Sequence, residues 1–156
     1  MAHMIAVAGK GCYCYINSIV QRQIDKLKAN YPYIVVDNEA GMEHLSRGIL
    51  PEINTAILVS DCSRRGVQAA GRIAELMREV DIKTGSINLI VNKALNGVLD
   101  AGTMAEVEKQ GLNLIGVLPR DEGVYQYDCD GIPTAQLPKD SLVRQVVSEI
   151  VKKLGL

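Results

Sequence analysis

Five short apolar runs, each bounded by polar or turn residues and separated by helix-length segments, constrain this chain most. They fall at residues 4–8, 33–36, 55–59, 87–91 and 114–118. Each is too short for a helix, and most are rich in β-branched residues, so each reads as a strand. Strands this continuously apolar are buried on both faces, which is the pattern of a parallel sheet with helices on either side. The intervening segments carry helical periodicity. Ile16, Ile19, Val20, Ile24, Leu27 and Tyr31 share one face before Pro32 stops the helix, and Val67, Ala70, Ile73, Ala74, Met77 and Val80 share another behind a Ser63 cap. A weaker pattern from Leu99 to Gln110 ends at Gly111, and a final helix capped by Asp140 or Ser141 ends at Gly155. Residues 120–138 read mainly as loop, with one helical turn. The expectation is an α/β, three-layer fold with five parallel strands, one domain over residues 4–156, and Met1-Ala2-His3 as a cloning remnant.

The first run leads into Gly9-Lys10-Gly11, which is followed at once by Cys12-Tyr13-Cys14. A full phosphate loop, G-x-x-x-x-G-K-[ST], surrounds phosphates with backbone N–H groups and adds a lysine and a magnesium-binding hydroxyl. Counted from Gly9, the Gly-Lys-Ser/Thr would fall at positions 14–16, where Cys14-Tyr15-Ile16 stand instead. The chain opens like a nucleotide hydrolase and then lacks the parts that grip the nucleotide.

In parallel sheets, ligands gather beyond the carboxyl ends of the strands. Gly9–Gly11, Asp37, Asp61, Asn92 and Pro119-Arg120 all fall at such ends. Asp37-Asn38-Glu39-Ala40-Gly41 has the form D-x-x-A-G, in which a carboxylate can hold a magnesium-bound water and Gly41 lets the backbone approach a phosphate. An Asp that merely caps a turn at a strand end reads the same way. Asn92 can hydrogen-bond an adenine edge, or it can be an ordinary turn residue. Cys12 and Cys14 can give two thiolates to one soft metal; a closed site wants four, and a two-fold dimer supplies them. Unliganded thiols are the plainer alternative. Cys62 and Cys129 read as isolated thiols, His44 as a helix-surface histidine, and Arg47, Arg64 and Arg65 as solvated charges.

The order strand–GKG, strand–DxxAG, strand–SD, strand–VNK, strand–LPRD resembles the MinD/ParA class of deviant phosphate-loop ATPases. Within that class the segment Ile34 to Gly48, IVVDNEAGMEHLSRG, and the C-x-C pair are most similar to the CooC family, nickel-handling ATPases that mature carbon monoxide dehydrogenase. The resemblance implies a truncated P-loop NTPase fold whose remaining sheet has the order 2-1-3-4-5. It implies Cys12 and Cys14 as ligands for nickel or zinc at a homodimer interface, with carbon monoxide dehydrogenase as client. It also implies Gly9, Lys10, Gly11, Gly41, Asn92, Pro119 and Arg120 around ATP or ADP with magnesium, and Asp37 as a vestigial catalytic carboxylate. Members of the class carry a longer phosphate loop, a helix and a further strand between the equivalents of GKG and CYC. Nucleotide binding is therefore expected to be weak and hydrolysis absent. Two other readings stay open: an active ATPase with an unusual phosphate loop, and a non-catalytic dimerisation module.

Composition narrows the partners. With 47% apolar and 22% charged residues the chain can bury a core, and a net charge of −1 gives no general attraction to nucleic acid or to an anionic membrane. No apolar run is long enough to span a bilayer, and no secretory signal is visible. The four cysteines lack the spacing of a disulfide framework, so a reducing, cytoplasmic setting is expected.

Overall fold

The structure is a computed structural model that describes residues 14–38, 52–79 and 83–156. The chain divides into two compact units, Met1–Pro51 and Glu52–Leu156.

In the first unit the described backbone holds helix α1, Cys14–Lys28. Its end is built from local bonds. The Asn30 side chain donates to the Lys26 carbonyl at 2.8 Å, and the N–H groups of Asn30 and Tyr31 both reach the Leu27 carbonyl. Pro32, which cannot continue a helix, follows. Residues 33–38 are irregular rather than the expected strand, and Val35 is 92% exposed. β-propensity reflects fit to a pleated, half-buried surface, and no described neighbour supplies one here. The first predicted strand, residues 4–8, lies outside the described residues.

The second unit is a three-layer sandwich. Strands β1 (Glu52–Asp61), β2 (Lys83–Ala94) and β3 (Asn113–Pro119) pair in that order, all parallel. Among the described residues the sheet therefore has three strands, formed by the third, fourth and fifth predicted runs, and not five. Helix α2 (Arg64–Glu79) packs on β1 and β2 and carries α3 (Ala101–Lys109) beside it. Helix α4 (Glu122–Cys129) follows β3, and α5 (Leu142–Lys153) lies on β3.

Register shows that α2 and α5 take opposite faces. Gly66 of α2 stands over Ser60, so Leu58 and Ser60 point to α2, together with their ladder partners Leu89 and Val91. Ile90 pairs with Gly116 and points the other way, where Ile150 of α5 sits so close to Gly116 that a Cβ there would collide with it. Residues 88–91 of the central strand are buried on both faces, as a parallel sheet requires. On α2 the buried positions are Val67, Ala70, Gly71, Ala74 and Met77, close to the face read from the sequence.

The helix ends obey local chemistry. Ser63 accepts the Gly66 N–H at 3.0 Å, Ser141 caps α5, and Gly111 closes α3 with φ of 60° in the left-handed region that glycine tolerates. Helix α4 is longer than the single turn expected. Asp121 accepts from the N–H groups of Gly123 and Val124 at 2.7 and 3.2 Å, which stabilises a helix that has no buried residue of its own.

Candidate functional site

The three parallel strands end on one rim. Asp61 closes β1 and lies opposite Asn92 in the ladder, while Ala94 lies opposite Pro119. The Arg120 N–H donates to the Ala94 carbonyl at 2.9 Å, so the β3 exit is tied to the β2 exit. Of the residues singled out from sequence, Asp61, Asn92, Pro119 and Arg120 therefore share this edge. Pro119 is buried, Asn92 half-buried and Arg120 exposed.

The Asp61 turn is preorganised. Asp61 Oδ1 accepts from the Ser63 hydroxyl at 2.6 Å and the Ser63 N–H at 2.9 Å. These two bonds, with the nearby Lys93 charge, hold its carboxyl below the usual range against the opposing effect of burial. Gly66 is required behind it, because a Cβ there would strike the Asp61 carboxylate and stand 2.6 Å from Ser60 Oγ.

A second layer of polar groups supports the turn from α3. Asp100 caps that helix, accepting from Gly102 and Thr103 N–H groups at 2.9 and 3.0 Å. The buried Thr103 hydroxyl stands 2.7 Å from Asp100 Oδ2 and 3.2 Å from the Cys62 carbonyl, so its one hydrogen is shared between the two acceptors. The Thr103 hydroxyl, followed by the backbone donors, keeps Asp100 ionised below its ordinary range. One turn on, Glu106 is 1% exposed and accepts from Gln110 at 2.8 Å and Arg64 at 3.3 Å. The Gln110 amide leads in lowering its pKa; burial pushes the other way, and Gln68 and Arg64 add to the lowering. Arg64, expected to be a free surface charge, is thus anchored by one edge while 65% of its side chain stays exposed.

Sequence reading missed this support. Asp100-Ala101-Gly102-Thr103 carried an N-cap signal that could have located the α3 start one turn later than Leu99. Nothing marked Glu106 as buried, since a glutamate inside an amphipathic helix usually faces water.

The other candidates are placed less fully. Asp37 is exposed and follows the irregular residues 33–36, so it does not stand at a strand end as expected. Gly9, Lys10, Gly11, Cys12 and Gly41 lie outside the described residues, as does the Cys14 side chain, although Cys14 opens the backbone of α1. Among the described residues, no three His, Cys, Asp or Glu side chains come together as a metal-binding group, and no helix is long and apolar enough to cross a membrane.

No protein-family model matches the chain. An uncharacterized ATP-binding protein of Methanocaldococcus jannaschii is 37% identical over 94% of this chain and 57% of its own length. The carbon monoxide dehydrogenase accessory protein CooC of Rhodospirillum rubrum is 31% identical over 80% of this chain and 46% of its own length. Among solved structures, the MinD cell division protein of Aquifex aeolicus superposes with a TM-score of 0.74 at 20% identity, over 89% of this chain and 60% of that one, a likeness of fold. The chain belongs to the MinD/ParA class of ATP-binding proteins. CooC is among its homologues, and the archaeal ATP-binding protein shares a higher identity with it than CooC does. The chain spans about half the length of these two relatives.

Proposed function

We propose that this chain is an accessory domain for metallocentre maturation of the CooC kind, acting in the cytoplasm. Cys12 and Cys14 from two copies hold one nickel or zinc ion, and the rim of Asn92, Pro119 and Arg120 takes the base of ATP or ADP. Carbon monoxide dehydrogenase is the client by kinship. The single observation that carries the reading is the homology with CooC over 80% of the chain.

Two thiolates per chain make an incomplete soft-metal site, while four from a two-fold pair make a closed one. A homodimer with the ion on its axis follows from that count. The nucleotide side is weaker. Gly9, Lys10, Gly11 and Gly41 meet the phosphates, and Asp37 lies beside the magnesium water. The lysine and hydroxyl of a full loop do not follow, however, and such groups supply much of the transition-state stabilisation in phosphoryl transfer. ADP affinity weaker than about 0.1 mM, roughly 5.5 kcal/mol of binding free energy, is the expectation.

Native mass spectrometry with nickel, with and without chelator, tests the metal site. The expected result is one ion per two chains, lost in Cys12→Ser/Cys14→Ser and kept in Cys62→Ser/Cys129→Ser. One ion on a monomer, or a dimer indifferent to the first pair of substitutions, would overturn it.

A further inference from the structure

The end of β2 holds a backbone irregularity that the base-binding reading does not use. Lys93 has φ of 60°, a left-handed conformation that an L-residue with a long side chain rarely adopts. Strain of this kind persists only where the surroundings impose it, and it collects at functional positions. Here the surroundings are visible. The Lys93 N–H donates to Asn92 Oδ1 at 2.8 Å, the Lys93 carbonyl accepts the Cys62 thiol at 3.5 Å, and the next carbonyl, of Ala94, accepts the Arg120 N–H at 2.9 Å. Three consecutive residues are thus pinned from the exits of both neighbouring strands.

The pinning has a consequence for Asn92. An amide N–H can face only the oxygen of an asparagine side chain, since its NH₂ end would place donor against donor. The bond from Lys93 therefore settles which way the Asn92 amide is turned. Its oxygen points back to the chain, and its two N–H donors are directed away from that bond. In the ordinary extended conformation, residue 93 would carry its N–H along the strand, and the Asn92 amide would be free to turn over.

We infer that Lys93 is a positioning residue, whose left-handed backbone orients the Asn92 amide so that it presents donors to an acceptor atom of a purine base. The inference rests on the reading that the rim holds a nucleotide base. The lysine side chain is not required for it; the backbone conformation is.

Three substitutions separate these contributions. Lys93→Gly removes the charge and keeps the left-handed conformation, which glycine adopts freely. Lys93→Val opposes that conformation through its β-branch, and Lys93→Ala takes its place if the valine variant does not fold. Asn92→Asp keeps an acceptor for the Lys93 N–H and removes the donors to the base. Calorimetry with ADP and, separately, with inorganic diphosphate reads base recognition apart from phosphate binding. Hydrogen exchange at the residue 93 amide reads the Asn92 bond without any nucleotide.

The expected result is ADP affinity within about twofold of the parent for Lys93→Gly and about tenfold weaker for Lys93→Val and Asn92→Asp, with diphosphate binding unchanged throughout. The residue 93 amide should be protected in the parent chain and in Lys93→Gly, and unprotected in Asn92→Ala. Equal loss in Lys93→Gly and Lys93→Val would assign the effect to the ammonium and overturn the inference. Full ADP affinity in Lys93→Val, or an unprotected amide in the parent, would overturn it as well. If Asn92→Asp leaves ADP affinity intact, or if the parent binds no ADP, it is the base-binding reading that fails, and the exchange measurement still judges the Lys93–Asn92 bond.

Discussion

Residues 88–91 of β2 and residues 33–36 after α1 are both short and rich in strand-forming side chains, and their environments are opposite. Leu89 is 0% exposed between two hydrogen-bonded neighbours, with α2 over one face of the sheet and α5 over the other. Val35 stands 92% exposed in irregular backbone. The difference shows that a β-branched run becomes a strand through the partners that flank and cover it, because burial and ladder bonds outweigh intrinsic preference.

The comparison can be broken by truncating one side chain from each region. Leu89→Ala should cost about 2–5 kcal/mol, from lost burial and an incompletely collapsed cavity. Val35→Ala should change stability by no more than about 0.5 kcal/mol, as exposed positions do. Urea denaturation of both variants measures this. A Val35→Ala penalty as large as that of Leu89→Ala would mean that residues 33–36 are buried after all.

A smaller effect sharpens the contrast at the level of charge. Glu106 is buried and hydrogen-bonded, and its pKa lies below the ordinary value near 4.3. A depressed folded-state pKa means that the ionised group stabilises the fold above the unfolded value, and that this contribution disappears as pH falls through the folded one. Glu106→Gln should therefore lower the urea midpoint at pH 7, with the difference from the parent shrinking as pH drops below about 4. An equal deficit at pH 7 and pH 3 would show that the glutamine packs badly and that the charge contributes nothing.

What the sequence made legible follows the same division. Strands β1, β2 and β3 were readable because their apolar continuity is itself the consequence of double-sided burial, and the caps at Ser63, Gly111 and Gly155 because the cap chemistry is local. The strand at 33–36 was misread because partners are not written in the run itself. At the rim, Asp61, Asn92 and Arg120 could be located simply as strand-end polar residues. Their supports could not. The Thr103 bond to the Cys62 carbonyl spans 41 positions and the Arg64–Glu106 pair spans 42, so neither leaves a local pattern. The left-handed backbone at Lys93 was equally silent, because lysine is not a residue that announces positive φ.

The account divides labour between two stretches of chain, metal at Cys12 and Cys14 and nucleotide base at the carboxyl rim of β1–β3. The most direct test is amide chemical-shift mapping on the ¹⁵N-labelled protein, titrated separately with nickel and with millimolar ADP. The account predicts that ADP shifts the amides of 61–63, 92–97 and 119–121, and that nickel shifts those around 12–16 and leaves the rim unmoved. A rim that stays silent to ADP, or that responds to nickel as strongly as the cysteine stretch does, would contradict it.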